Sequence, residues 1–303
     1  MSAIKKVGFI GIGNMGAPMA GHLVKAGFDV TVYDVRPEQV TIFVERQGGR
    51  SAATLAELAR DADAVITMLP NDKVVREVVL GKNGHGVAES LRKGAVVIDM
   101  STCDPIASHS LAEALTPLGI DFVDAPVMGG VVFAKDATLD IMVGGDAAVI
   151  ERCRPLFKAL GRTVMECGGV GNGHAMKALA NYVNACALIN AIEALTIGKR
   201  FGLDAKFMAE ALVPLCAGRN HPIEKKILPQ VFTRNYGTGM ALGFIAKDVK
   251  IARDTARSLE AFAPLAEKVS ELWSAAAEEL GPHVDQTEIV RYWEDATGVK
   301  LTG

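Results

Sequence analysis

The stretch that decides the fold is Val7-Gly8-Phe9-Ile10-Gly11-Ile12-Gly13-Asn14-Met15-Gly16, in which an apolar, strand-like run enters Gly-x-Gly-x-x-Gly. A helix-compatible segment, 17–25, follows directly. In such a unit the first glycine makes the turn, the second admits a pyrophosphate, and the third lets the helix pack against the strand. N–H groups at the helix start then face the anion. The motif predicts a dinucleotide site formed by Gly11, Gly13, Asn14, Met15 and Gly16.

A second strand-like run, Val30-Thr31-Val32-Tyr33, ends at Asp34. This residue lies about twenty positions past the glycines, where an acidic side chain accepts a hydrogen bond from a ribose 2′-hydroxyl. Asp34 would repel the 2′-phosphate of NADP and so favours NAD, whereas Arg36 could accommodate that phosphate. NAD is the predicted cofactor, and NADP stays open. The alternative is that the glycines only form a tight turn.

Apolar runs alternate with helix-like segments through the first half of the chain, at 64–69, 95–99, 122–124, 139–143 and 163–166. Such nearly continuous runs are typical of parallel strands buried on both faces. After the glycine-rich loop at 168–173 the strand signals disappear. The sequence therefore predicts an α/β protein. Residues 1–166 are predicted to form a doubly wound Rossmann sheet, and residues 167–303 an all-α domain for substrate binding and oligomerisation, joined by a long buried helix near 173–201.

Composition excludes several classes of function. The chain has 303 residues and a net charge of −3, which gives no electrostatic reason to expect nucleic acid or an anionic membrane as a partner. Its five cysteines include no Cys-x-x-Cys pair. We expect reduced thiols, no metal, no targeting or membrane-spanning segment, and a cytoplasmic location.

One stripe of the predicted buried helix carries polar residues. His174, Lys177, Asn181 and Asn184 recur at helical spacing among Ala, Leu and Met. A partly buried lysine has a lowered pKa and can exchange a proton with a substrate hydroxyl near neutral pH. Lys177 and Asn181 are the predicted catalytic residues, with Asn181 orienting the lysine and the substrate oxygen. The alternative is a lysine whose stem extends along the helix to solvent.

A second candidate is the segment Asp124-Ala125-Pro126-Val127-Met128-Gly129-Gly130, which follows a predicted strand. Backbone N–H groups near Gly129 and Gly130 could form a small nest for a substrate carboxylate. The alternative is an ordinary strand end followed by a turn rich in proline and glycine.

In this order the motifs resemble the β-hydroxyacid dehydrogenase family, which includes 3-hydroxyisobutyrate dehydrogenase, tartronate semialdehyde reductase and, more distantly, 6-phosphogluconate dehydrogenase. Gly171-x-Gly173-x-x-x-Lys177-x-x-x-Asn181 is similar to its catalytic signature. The resemblance implies hydride transfer between a nicotinamide and a short β-hydroxy acid or its semialdehyde, with Lys177 as general acid/base and Asn181 as its helper. It implies a homodimer or homotetramer. It also implies cofactor contacts from Leu69, Pro70, Ser101, Thr102 and Lys247, and a substrate contact from Asp248.

The chain departs from the family where the substrate should bind. Met128 stands where the family usually has serine, and Val132 and Phe133 replace small residues. The implied substrate site, with Met128, Gly129, Gly130, Lys177, Asn181 and Asp248, should be less polar than usual. The chain is also much shorter after Lys247 than the 6-phosphogluconate branch, which disfavours a decarboxylating sugar-phosphate enzyme.

Two rival functions stay open. An imine reductase is disfavoured because related imine reductases commonly replace the lysine at position 177. A catalytically silent NAD-binding reader domain is permitted by the altered substrate loop, and the intact stripe of Lys177 and Asn181 disfavours it.

Overall fold

The glycine motif lies between the first strand and the first helix, as predicted. Strand β1 spans Lys6–Ile10 and helix α1 spans Gly16–Lys25. The computed structural model describes these residues: 3–81, 86–178, 180, 197–198, 201–212, 215, 226, 229–238, 240–243, 245–246, 249–250, 253, 257 and 260–298.

One twisted sheet organises the first half of the chain. Its further strands are β2 (Asp29–Tyr33), β3 (Arg50–Ser51), β4 (Ala64–Thr67), β5 (Val96–Asp99), β6 (Asp121–Asp124), β7 (Val127–Met128), β8 (Leu139–Gly144) and β9 (Gly161–Gly168). The strand order is β3-β2-β1-β4-β5-β6-β8-β7, with β9 also paired to β8. Strands β1 to β6 pair in parallel, and every residue of β4 and β5 is buried. The near-continuous apolar runs predicted this arrangement, and the fold class is confirmed.

Helices cover both faces of the sheet. Those of the first half are α2 (Pro37–Gln47), α3 (Leu55–Ala59), α4 (Asp72–Leu80), α5 (Val87–Ser90), α6 (Pro105–Leu115), α7 (Gly130–Lys135) and α8 (Ala147–Leu160). Side chains of Thr54, Asn71, Asp104 and Asp146 accept hydrogen bonds at helix starts. One core cluster contains Phe9 and Phe157, and a second contains Ile10 and Leu115.

The sheet departs from all-parallel pairing at β8, which runs antiparallel to β6 and β7. Helix α7, which comes before β8, has only six residues. At 1.5 Å per residue this helix is about 9 Å long, too short to return along a strand of about 20 Å. The chain therefore reverses direction. Helix α8 has 14 residues and is long enough to bring β9 back parallel to β8.

The chain divides into two compact units, Met1–Tyr182 and Val183–Gly303. A helix that we call the Lys177 helix begins at residue 172 and is described through 178, inside the first unit. The rest of the predicted long helix lies largely outside the described residues. The predicted boundary between residues 166 and 167 stays a prediction.

The described elements of the second unit include helices α9 (Ala205–Leu212), α10 (Pro264–Leu280) and α11 (Val290–Thr297). An isolated bridge pairs Ala241 with Asp285. Asp285 also forms a capping box with Glu288 at the turn before α11. None of the described helices combines the length and the apolar character that crossing a membrane requires.

Candidate active site

The three motif glycines differ in the space around them. Gly11 has a φ of +90°, and an added Cβ would lie 2.4 Å from Met68 O. A Cβ on Gly16 would lie 1.9 Å from Gly11 O, so the helix start touches the turn. Among the described residues, a Cβ on Gly13 would meet only Arg36 Nη2, at 3.7 Å. The second glycine therefore borders open space, as a backbone that must approach a pyrophosphate requires.

That open space is a cavity of about 570 Å³ at the carboxyl ends of β1, β2 and β4. This edge is where open α/β sheets bind their ligands. The cavity fits a dinucleotide because it combines the bare glycine turn with an acidic residue after β2. Its lining includes nine residues that the sequence predicted for the cofactor: Gly11, Gly13, Asn14, Met15, Gly16, Asp34, Arg36, Leu69 and Pro70.

Asp34 is held rigidly at the end of β2. Its carboxylate accepts hydrogen bonds from Ile12 N at 3.0 Å, Arg36 N at 3.0 Å and Arg36 Nε at 3.1 Å. Burial by itself raises the pKa of the Asp34 carboxyl, but the hydrogen bonds from Arg36 and Ile12 outweigh burial and hold that pKa below its usual range. Asp34 is thus an anion fixed inside the cavity.

Ser101 acts behind the cavity wall. It is buried, and its hydroxyl accepts a hydrogen bond from Leu69 N at 2.9 Å. Asp99 supports the same loop, since its Oδ1 accepts from Thr67 Oγ1 at 2.8 Å and from Ser101 N at 3.0 Å. Thr102, the next residue, is exposed. The structure therefore places the Ser101 side chain as a brace of the Leu69 loop.

Lys177 lies with its amine inside the protein. Its exposed fraction is 9%, and Nζ lies 2.7 Å from both Val127 O and Met128 Sδ. Burial lowers the pKa of the Lys177 ammonium from its ordinary value of 10.5. The predicted catalytic lysine and the predicted substrate segment are therefore in contact. The alternative of a side chain extending to solvent is wrong.

The predicted substrate segment is more regular than a turn. Val127 and Met128 form the short strand β7, and helix α7 begins at Gly130. Gly129 and Gly130 have φ values of +120° and +71°, which other residues rarely adopt. A Cβ on Gly129 would lie 2.6 Å from Phe133 Cβ, so the first turn of α7 folds closely over this glycine.

Asp124 is the first residue of the predicted substrate segment, and the sequence analysis gave it no role of its own. It is fully buried, and it accepts hydrogen bonds from Gly171 N at 2.7 Å and His174 N at 2.8 Å. Burial raises the pKa of the Asp124 carboxyl, while these N–H groups and His174 act in the opposite direction. An acidic residue at the end of a buried strand was the available signal. The function of Asp124 is to fix the start of the Lys177 helix.

Asp99, Cys103 and His174 place potential metal ligands within 4.8 Å of one another. Both His174 ring nitrogens are engaged, because Nδ1 lies 2.7 Å from Ser108 Oγ and Nε2 lies 3.1 Å from Ser101 O. Burial and the neighbouring Asp99 raise the pKa of the Cys103 thiol, which disfavours the thiolate that metals require. The group is therefore interpreted as a hydrogen-bonded network.

Several predicted site residues lie outside the described residues. They are Asn181, Lys247 and Asp248. Their roles stay predictions.

Comparison with known proteins identifies the family. The family described as the NAD binding domain of 6-phosphogluconate dehydrogenase matches residues 6–169, and the family described as NAD-binding of NADP-dependent 3-hydroxyisobutyrate dehydrogenase matches residues 171–293. The mitochondrial 3-hydroxyisobutyrate dehydrogenase of Mus musculus is 38% identical over 85% of this chain and 78% of its own length. The chain belongs to the β-hydroxyacid dehydrogenase family.

Other members of the β-hydroxyacid dehydrogenase family align along nearly the whole chain. The 2-(hydroxymethyl)glutarate dehydrogenase of Eubacterium barkeri is 32% identical over an alignment that covers 98% of this chain and 98% of that protein. The structure of Mycobacterium tuberculosis 3-hydroxyisobutyrate dehydrogenase with L-serine has a TM-score of 0.67 at 27% identity, covering 96% of this chain and 99% of that one. The β-hydroxyacid dehydrogenase described here is thus an NAD(P)-dependent oxidoreductase that acts on CH–OH groups of hydroxy acids.

An imine reductase from Myxococcus stipitatus, solved with NAD⁺, has a TM-score of 0.83 at 18% identity, covering 97% of this chain and 100% of that one. At this identity the similarity shows a shared fold alone. Imine reduction by this β-hydroxyacid dehydrogenase therefore receives no support from it.

Proposed function

We propose that this chain is an NAD-dependent dehydrogenase of a short-chain β-hydroxy acid, or of the corresponding semialdehyde, with Lys177 as general acid and base. The observation that carries the proposal is the buried Lys177 amine in contact with β7. Its lowered pKa brings the neutral amine closer to the pH at which the enzyme works. Among the described residues its hydrogen-bond partners are Val127 O and Met128 Sδ, which carry no charge, so no described ion pair holds the amine away from a substrate hydroxyl.

In the oxidative direction, the neutral Lys177 amine takes the proton of the substrate hydroxyl. The C–O bond becomes a carbonyl as the hydride on the same carbon leaves. The bound nicotinamide supplies the hydride acceptor. In the reductive direction, the Lys177 ammonium returns a proton to the forming alkoxide. Asn181 is proposed to orient the amine and the substrate oxygen, while Lys247 and Asp248 are proposed to contact nicotinamide and substrate.

The preference for NAD over NADP is supported by Asp34. Its carboxylate is fixed in the cavity by four hydrogen bonds and would repel a 2′-phosphate. Arg36 is the cation that could accept this phosphate, but its Nε is already paired with Asp34. A 2′-phosphate would have to share that guanidinium with Asp34. We propose that the ribose 2′-hydroxyl of NAD donates to Asp34 instead.

The substrate is proposed to carry its carboxylate near Gly129 and Gly130. Met128 supplies no hydroxyl donor and lies against Lys177, so the pocket beside the reacting carbon is less polar than one built with serine. Relatives are named for 3-hydroxyisobutyrate and 2-(hydroxymethyl)glutarate, which are both small carboxylates. An apolar substituent next to the hydroxyl-bearing carbon suits contact with Met128.

Assembly and location are also proposed. We expect a homodimer or homotetramer, and a cytoplasmic location is consistent with the free thiols of Cys103, Cys153 and Cys167.

The test is reduced nicotinamide formation, followed by absorbance, across β-hydroxy acids including 3-hydroxyisobutyrate, 2-(hydroxymethyl)glutarate, serine, glycerate and 3-hydroxybutyrate. Lys177→Ala should abolish turnover while retaining NAD binding. The matched control is Lys158→Ala, because Lys158 is an exposed lysine of α8. Equal turnover in the two variants would refute the role of Lys177, and preference for NADP would refute the role of Asp34.

A further inference from the structure

His174 connects two parts of the site that sequence treats separately. It lies three residues, about one turn, before Lys177 on the same helix and is 1% exposed. Its Nε2 lies 3.1 Å from Ser101 O, which can only accept, so Nε2 carries the hydrogen. Its Nδ1 lies 2.7 Å from Ser108 Oγ, and that hydroxyl donates to Asp104 O at 3.2 Å. These contacts hold the imidazole in one orientation.

From Ser101 the hydrogen bonds continue to the cofactor cavity. The Ser101 hydroxyl accepts from Leu69 N, and Leu69 lines that cavity. A continuous path therefore runs from the cavity wall at Leu69 through Ser101 to His174, and along the helix to Lys177. Every member of this path lies within the first compact unit.

Asp124 anchors the other side of His174. Its two oxygens accept from Gly171 N, directly before the Lys177 helix, and from His174 N, in the first turn of that helix. Gly144 and Gly173 make room for this carboxylate, because a Cβ on either would approach it to 2.6 or 2.8 Å. Asp124 thus fixes the backbone at the start of the helix. The His174 side chain connects that start to Ser101, which holds Leu69 of the cofactor cavity wall.

We propose that His174 is a positioning residue that keeps Lys177 in register with the cofactor wall through its Nε2–H bond to the Ser101 carbonyl. The proposal rests on the proposed role of Lys177. Proton and hydride transfer require both partners at the same carbon, and a displacement of about 1 Å far from the chemistry can cost about 10²-fold in rate. His174 opposes that displacement without touching substrate or cofactor.

Two substitutions at His174 distinguish the contribution of the Nε2 hydrogen bond from that of the Nδ1 hydrogen bond. The amide of His174→Gln reaches the position of Nε2 and can donate to Ser101 O, whereas the amide of His174→Asn reaches only the position of Nδ1, beside Ser108. We expect His174→Asn to lower kcat by about 10²-fold with little change in the KM for NAD. His174→Gln should keep kcat close to the unsubstituted value. Thermal unfolding of both variants shows whether each is folded.

The pH dependence of kcat gives a readout that a purely structural role would not change. Burial lowers the pKa of Lys177, so a loosened helix that admits water should move the apparent pKa of the rate profile up toward 10.5 in His174→Asn and not in His174→Gln. Equal kcat in the two variants, whether both high or both low, would overturn the proposal.

Ser101→Ala provides a second test if His174→Asn fails to fold. It removes the bond from Leu69 N and interrupts the same path one step further along. We expect a lower kcat and the same upward movement of the apparent pKa; an unchanged kcat would overturn the proposal. In the double variant the two losses should not add, because both break one path. If Lys177→Ala retains turnover, the proposed function fails; if it is inactive while His174→Asn is fully active, only the positioning role fails.

Discussion

Alanine substitution of two motif glycines should separate folding from cofactor binding. At Gly16 the new Cβ would lie 1.9 Å from Gly11 O and 3.0 Å from Phe9 Cε1, so α1 would have to move away from the turn. Overpacking of this kind costs about 1–3 kcal/mol. For a unit of this size each kcal/mol lowers Tm by about 2–4 °C, so Gly16→Ala should unfold about 2–12 °C lower.

At Gly13 the same change should leave the fold intact. The nearest atom to the new Cβ is Arg36 Nη2 at 3.7 Å, and Gly13 is not among the glycines of positive φ. The substitution should stabilise the chain by about 0.4–1 kcal/mol through the unfolded state. Its methyl group would stand where the pyrophosphate must approach. We therefore expect the Kd for NAD to rise by at least about tenfold, or 1.4 kcal/mol.

Thermal unfolding and calorimetric titration with NAD measure the two effects. Gly237→Ala is a matched control, because a Cβ there has no described neighbour closer than 4.0 Å and the residue belongs to the second unit. It should leave the Kd for NAD unchanged and should not lower Tm. Unchanged NAD affinity in Gly13→Ala, or an unchanged Tm in Gly16→Ala, would refute the roles assigned to these glycines.

Three further predictions concern specificity and pH. Asp34→Ser removes the fixed anion and frees Arg36. The ratio of kcat/KM for NADP to kcat/KM for NAD should therefore rise at least about tenfold, or 1.4 kcal/mol. Steady-state kinetics with both cofactors measure this ratio, and a constant ratio would contradict the account. Met128→Ser adds a hydroxyl beside Lys177, and a hydrogen bond to a charged group is worth about 1.5–3 kcal/mol. The KM for the hydroxy acid should therefore fall by about tenfold or more; an unchanged KM would show that this position does not face the carboxylate. Burial lowers the pKa of Lys177, and oxidation needs its neutral amine. The kcat/KM for oxidation should therefore rise with pH and level off below 10.5, while the kcat/KM for reduction should fall over the same range. Profiles of opposite slope would exclude Lys177 as the proton-transfer group.

Local signals predicted the dinucleotide half of the molecule well. The glycine spacing and the apolar runs both depend on contacts within a short stretch of chain, and β1, α1, β4 and β5 formed where they were expected. The start of helix α6 could also have been predicted from the local sequence. Asp104 caps it and Pro105 occupies its first turn, which is a strong start signal that the sequence analysis did not use.

Features that depend on contacts between distant parts of the chain could not be predicted from the sequence. The direction of β8 depends on the length of α7, and α7 was not predicted because Gly129 and Gly130 were interpreted as a carboxylate nest or a turn. The network around His174 joins residues far apart along the chain, with a separation of 50 to Asp124 and 73 to Ser101. No local pattern pairs such residues. The stripe containing Lys177 was visible, but its contact with Met128 depends on how the sheet ends at β7.

The most direct test of the central claim is turnover by Lys177→Ala in the presence and absence of added primary amines. The account predicts that this variant binds NAD, transfers no hydride from the hydroxy acid, and regains measurable turnover when methylamine or ethylamine enters the space left by the side chain. Recovery should increase with the fraction of neutral amine in solution. Full turnover by Lys177→Ala without any amine would contradict the account, because the proton would then leave by another route.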